Sequence, residues 1–512
     1  MGPLAPVEPT STDRFATMGA CSQCHLAGDT GALRDDAGHD ISPVGLFRSS
    51  MMAFAARDPY YLAVVSEERL VRPGIADAID DKCTKCHAPA GALELEASGG
   101  HLTLEGLATG TSPAENLGRD GVTCSLCHQL DEPGLSGAFD VGYDRAMLGP
   151  HEGPDVEPMQ FFVEYTPTYA EGWGGAELCA SCHTVVVPIV DAEGQATGGD
   201  FLEQAPYFEW LSSSFAGTTP CNTCHLPSTH DDGTAIASVL AKYPDGLPVR
   251  TPFGKHRFVG GNATMLRALA AAGAWTGATV EPAELELAAL EAEAHLRGAA
   301  SLTVVSRAET PAGLEVVVRV DNLTGHKLPT GYPSRRMWLH VRGLSASGAL
   351  VWESGGYDLE GRLVDRAGAP VEPEGDYFPH VDRVSDERVV QLWEAIASDA
   401  SGAPTHRALG AVGYLKDDRV LPQGFAPAGD LAEWLGAVGT SADPSFSPGH
   451  DEVTYVLPSE VATVELELVY QTVPPWVRDR LALVPTGAAV KLTELLELSP
   501  STPLVMATVT SP

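Results

Sequence analysis

The ten cysteines of this chain form five copies of one pattern, Cys-x-x-Cys-His, with none left over. They read Cys21-Ser-Gln-Cys24-His25, Cys83-Thr-Lys-Cys86-His87, Cys124-Ser-Leu-Cys127-His128, Cys179-Ala-Ser-Cys182-His183 and Cys221-Asn-Thr-Cys224-His225. No other feature limits so strongly what the 512 residues can fold into. Two cysteines three apart can each form a thioether to one vinyl group of a haem, and the next histidine then stands against the iron. Zinc would take the cysteine pairs two by two, leaving one unmatched, and needs no histidine after each. Redox-active or disulfide pairs need no such histidine either. The pattern predicts five c-type haems attached through these ten cysteines, with His25, His87, His128, His183 and His225 as proximal iron ligands. Such haems are attached outside the cytoplasm, so the chain is expected to be exported: periplasmic, cell-surface or extracellular.

Large apolar macrocycles can replace much of a side-chain core, which suits the Gly/Pro-rich connections between the motifs. Residues 1–14 read as a flexible tail and 15–261 as a pentahaem segment, mostly helical and irregular. Ser42-Pro43 predicts a helix running through "VGLFRSSMMAFAAR", Asp58-Pro59 a stop and a second start, and Pro206 a third. Residues 262–300 read as a helical connector, with Leu285, Ala289, Ala292 and Leu296 at helical spacing and Gly298 ending the run. From 301 to 512 the period becomes two. "SLTVVSR", "LEVVVRV", "RMWLHVRG" and "TVELELVYQT" predict an all-β, Ig-like sandwich with an irregular insertion at about 355–450. In the last of these, Val464, Leu466 and Leu468 are expected to face the core, and Glu465 and Glu467 water. The expected fold is thus multidomain, with no membrane-spanning run.

What fills the sixth iron position separates electron transfer from catalysis. His256, in "PFGKHRFVGGN", and His326, in the proline-bounded loop "LTGHKLPTGY", are the leading candidate distal ligands. His101, His151 and His230 lie among the motifs and are further candidates. Met51 or Met52 could offer a thioether, although methionine on a helix is usually core filling. His340 alternates with strand residues and reads as structural; His295, His380, His406 and His450 read as surface.

The motifs together with "SMMAFAARDPYY", "DGVTCSLCHQL", "LCASCHTVVVP", "EQAPYFEWLSS", "CNTCHLP" and "HRFVGGN" resemble exported multihaem c-type cytochromes of environmental bacteria. "TGHKLPTGYPSRRMW", "GYLKDDRVLPQGF" and "YQTVPPW" resemble the β-rich C-terminal part of some of them, and the likeness spans most of residues 15–480. The resemblance implies haem at the five motifs, distal ligation at Met51 or Met52, His256 and His326, and electron transfer. "AEGWGGAELC" departs from it, since a histidine is expected before the fourth motif, and so leaves that haem's sixth ligand open.

A net charge of −36, from 68 acidic and 32 basic residues, argues against nucleic-acid partners and for solubility, a saline habitat or a basic partner; the expected partners are redox proteins or an extracellular electron acceptor. No acid–base or nucleophilic constellation stands out, so an electron carrier is favoured over an enzyme. Two alternatives remain: a reductase of a small nitrogen or sulfur species at one open haem, and a haem-bearing subunit of a surface complex or filament. Oligomeric state is not fixed by the sequence.

Overall fold

The computed structural model describes residues 1–29, 31–230, 232–373 and 377–512. Thr30 and Asp231, in the predicted pentahaem segment, and 374–376, in the predicted insertion, lie outside the described residues. The chain divides into two units, one of residues 1–182, 220–292 and 484–499, the other of 183–219, 293–483 and 500–512.

The first unit is built from short helices whose starts follow local chemistry. Ser42 accepts from the Gly45 N–H at 3.1 Å ahead of Pro43–Phe47, and Asp58 from Tyr60 at 2.9 Å ahead of Pro59–Val71. Ser112 and Glu115 form a capping box ahead of Pro113–Arg119. The helix expected to continue through Met51 instead ends at Phe47 and gives way to turns over 48–57. There the Ala55 carbonyl accepts from His87 Nδ1 at 2.9 Å, a bond that a carbonyl inside a continuous helix is not free to make. Side-chain packing comes in small clusters, as expected of a chain with little core of its own. One joins Phe47, Phe54, Leu266, Leu269, Leu285, Ala289 and Ala292. The connector forms helices Ala263–Ala272 and Pro282–Arg297, ending at Gly298.

The second unit is dominated by two sheets. One has the strand order Pro404–Thr405, Leu392–Asp399, Arg336–Ser345, Val461–Gln471, Leu504–Ser511, with Leu350–Ser354 and Ala411–Asp417 paired at its side. The other runs Arg383–Val384, His450–Leu457, Gly313–Asn322, Ala300–Thr310. Val316, Val318 and Val320 of the second sheet share one buried cluster with Leu339, Val341, Val464, Leu466 and Leu468 of the first. Glu465 and Glu467 alternate with these and pair on the opposite face with Arg342 and His340. The insertion is less irregular than expected. Leu392–Asp399 lies inside it and is a central strand, buried along nearly its whole length, so it carries no alternating signal. Two helices, Pro475–Leu483 and Gly487–Leu498, also interrupt the predicted all-β stretch. The fold is a mixed one, and among the described residues no helix is long and apolar enough to cross a membrane.

Candidate haem-binding site

Each motif lies on or closes a short helix: Met18–His25, Ala76–His87, Cys124–Cys127, Ala176–His183 and Cys221–His225. Helical spacing puts cysteines i and i+3 and histidine i+4 on one face, so both thiols and the imidazole address the same space. None of the ten cysteines is paired in a disulfide. Cysteine side chains of different motifs lie next to one another: Cys21 beside Cys124, Cys86 beside Cys182, and Cys179 beside Cys221. These pairs join the first motif to the third, and the fourth to both the second and the fifth. Backbone contacts agree. Ser125 of the third motif bonds both the N–H and the carbonyl of Ala16, just before the first. Gly137 donates to Ser181 O of the fourth at 2.8 Å, and a Cβ there would lie 3.4 Å from Cys86 Sγ of the second. Asn222 of the fifth donates to Gly174 O, ahead of the fourth.

Four of the five motif imidazoles share one arrangement that the sequence did not reveal. His25 Nδ1 donates to Leu240 O at 2.8 Å, His87 to Ala55 O at 2.9 Å, His128 to Leu148 O at 2.7 Å and His225 to Val259 O at 2.6 Å. A carbonyl can only accept, so each bond places the ring proton on Nδ1 and makes Nε2 the lone-pair nitrogen that binds a metal. Burial lowers the imidazole pKa of His25, His87 and His128, keeping them in the neutral form that ligation requires. His183 is exposed.

His256 repeats the arrangement. Its Nδ1 donates to Gly254 O at 2.9 Å, and burial, with His128 nearby, drives its pKa down to about 4. Its ring lies 6.5 Å, centroid to centroid, from that of His128, with the planes 19° apart. Imidazole nitrogens bind transition metals at about 2 Å, so two rings on opposite sides of one ion have centroids roughly 6 Å apart. The donor set thus fits an iron shared by His128 and His256.

His326 also commits Nδ1, to Lys327 O at 3.0 Å with Thr324 Oγ1 at 3.2 Å. Its loop is fixed by buried charges. Lys327 N–H and Thr330 Oγ1 donate to Glu209 Oε2 at 3.1 and 2.6 Å, Lys327 Nζ meets Asp417 at 2.6 Å, and Arg419 bridges Asp417 and Glu209 at 2.7 and 3.0 Å. A Cβ on Gly325 would stand 3.1 Å from Trp210 and 3.2 Å from Phe215, so glycine allows this close approach to the segment carrying Glu209.

The other candidates are not brought to a motif imidazole in the same way. Met51 and Met52 are half-buried, packed against the cluster that holds Phe47 and Phe54. His101 is exposed, 3.5 Å from Asp77. His151 and His230 are half-buried, with His230 in a turn closed through Thr234. His340 is held by Glu467 and Glu353, each at 2.9 Å. His380, expected at the surface, has a side chain only 3% exposed, because carboxylates stand at both its ring nitrogens.

Three residues near the motifs gave no separate signal in the sequence. Tyr61 stacks on His87 at 3.8 Å and Trp173 on His128 at 4.8 Å. Arg57 is buried, with Nε and Nη1 lacking hydrogen-bond partners; its charge faces Asp120, which accepts from Met18 N–H at the start of the first motif helix. Buried guanidinium nitrogens without partners suit an anionic edge such as a haem propionate.

No family model matches the chain, and no curated protein matches it. Among solved structures it is similar to a penta-heme cytochrome c552 from Thermochromatium tepidum, with a TM-score of 0.51 and 17% identity over 99% of this chain and 100% of that one. At that identity the likeness is one of fold.

Proposed function

We propose that this chain is a multihaem c-type cytochrome that carries electrons through five covalently bound haems in respiration outside the cytoplasm. The haems supply one-electron chemistry when bound. The protein contributes attachment at the ten cysteines, proximal ligation at His25, His87, His128, His183 and His225, and spacing. His256 completes the iron of the third motif, and His326 is a further candidate distal ligand. The penta-heme name of the similar structure supports the cofactor, and the two sheets of the second unit are read as the Ig-like sandwich. The single observation that carries the proposal is the His128–His256 pair: two neutral, tethered, near-parallel imidazoles at the separation one iron requires. Two protein ligands on an iron leave no place for a substrate, which favours a carrier. Its partners are a redox protein or an extracellular acceptor.

Intact mass of matured protein tests the count, and electron paramagnetic resonance of the ferric form tests the ligation. A mass of polypeptide plus five haems with low-spin signals supports the proposal; colourless protein, or zinc in place of porphyrin, refutes it. The stretch "AEGWGGAELC" ahead of the fourth motif, which lacks the expected histidine, favours one second reading. In that reading the fourth haem is open and reduces a small nitrogen or sulfur species. A high-spin, azide-binding fraction would support it.

A further inference from the structure

In the second unit, three side chains that can ligate a metal, His380, Asp443 and Asp451, each bring one such atom within 4.8 Å of the others. They come from different parts of the chain: His380 from the insertion, Asp443 from the loop ahead of the strand His450–Leu457, and Asp451 from that strand. All three side chains are at most 3% exposed.

What distinguishes this group from an ordinary ion pair is the use of every other polar atom. His380 Nδ1 stands 3.0 Å from Asp418 Oδ2, while Nε2 faces Asp443 Oδ2 at 3.0 Å. Asp443 Oδ1 accepts from the Ser445 N–H and Oγ, both at 2.7 Å. Asp451 Oδ2 accepts from Trp393 Nε1 at 2.8 Å. Each residue thus has one atom held by an outer partner, as ligands in metal sites usually do. The atoms left over are His380 Nε2, Asp443 Oδ2 and Asp451 Oδ1. Asp451 is fully buried, and its Oδ1 has no hydrogen-bond partner. A buried carboxylate oxygen without a donor is costly and calls for a cation or a proton.

The charges agree. Lys416 lies 3.3 Å from Asp418 and from Glu394, leaving Asp443 and Asp451 with His380 between them.

We propose that His380, Asp443 and Asp451 form a binding site for a divalent first-row transition-metal cation, with Asp418, Ser445 and Trp393 as the outer partners that orient them. One imidazole and two carboxylates suit zinc or manganese, and the two carboxylates match the ion's charge. Burial makes the site structural: the ion ties both ends of the 380–443 stretch to a strand of the four-stranded sheet. The site is independent of the haem reading.

Zinc is the probe, because it is distinct from haem iron. The full-length haem-loaded protein is stripped with EDTA, equilibrated with zinc and analysed by elemental mass spectrometry. The expected result is one tightly bound zinc per chain and a higher melting temperature. Asp451→Asn should weaken binding at least tenfold with haem absorbance unchanged. Absence of zinc and manganese uptake by the wild-type protein would overturn the proposal, leaving a proton or water in the pocket. Full uptake by Asp451→Asn would overturn it equally. Should that variant not fold, anomalous scattering at the zinc edge from wild-type crystals decides: zinc among these three side chains supports the site, and zinc only elsewhere refutes it.

Discussion

At the scale of single residues, two side chains bear most directly on haem chemistry. On the proposed function, replacing His256 by alanine removes one ring of the His128 pair, so one haem should turn high-spin in the ferric spectrum. His101→Ala should leave every signal in place, since that ring is exposed beside Asp77. Arg57 makes an electrostatic prediction. Its guanidinium is buried, with burial lowering its pKa to about 10 against the pull of Asp120, so it is cationic at neutral pH. A buried cation stabilises the electron-rich ferrous state. Arg57→Leu should therefore lower at least one haem potential in a spectroelectrochemical titration, and an unchanged titration would rule the role out.

At the scale of elements, the loop carrying His326 is held by Glu209, Lys327, Asp417 and Arg419. Lys327→Met leaves Asp417 short of one buried partner and should cost about 3–5 kcal/mol in denaturant unfolding. Burial opposes ionisation of Asp417, but Arg419 and Lys327 outweigh it and hold its pKa at about 2, below the ordinary 3.8. A carboxyl depressed on folding stabilises the protein above the unfolded pKa. That contribution, about 2 kcal/mol, should be complete above pH 5 and fade as pH falls from about 4 through 2; acid unfolding of an Asp417→Asn variant should lack this step. Sequence reading recovered the elements whose cause is local. Ser42-Pro43, Asp58-Pro59 and Gly298 mark helix ends because caps act over three or four residues, and Val464, Leu466 and Leu468 alternate because a sheet has two faces. It missed Leu392–Asp399, which is buried on both faces, and the carbonyl tethers of the motif histidines, because a backbone oxygen has no residue identity. It also misplaced His380, because nothing near it in sequence announces Asp418 or Asp443.

At the scale of the whole molecule, charge is the dominant property. With a net charge of −36, association with a basic redox partner should be fast at low ionic strength and slow steeply as salt is added; an acidic partner should show the opposite trend. Stopped-flow oxidation by a basic and an acidic acceptor over a salt series distinguishes the two. The Leu240 carbonyl has a consequence of another kind. His25, which emerges first during synthesis, receives its tether from a residue 215 positions later, beyond all the other motifs. The earliest haem can be joined to the chain long before its ligand is locked in tautomer and direction. On the proposed function, a polypeptide cut short after Leu226 keeps all five motifs but lacks Leu240, and should thus carry a full complement of pigment while its N-terminal iron stays loosely held and easily displaced by imidazole.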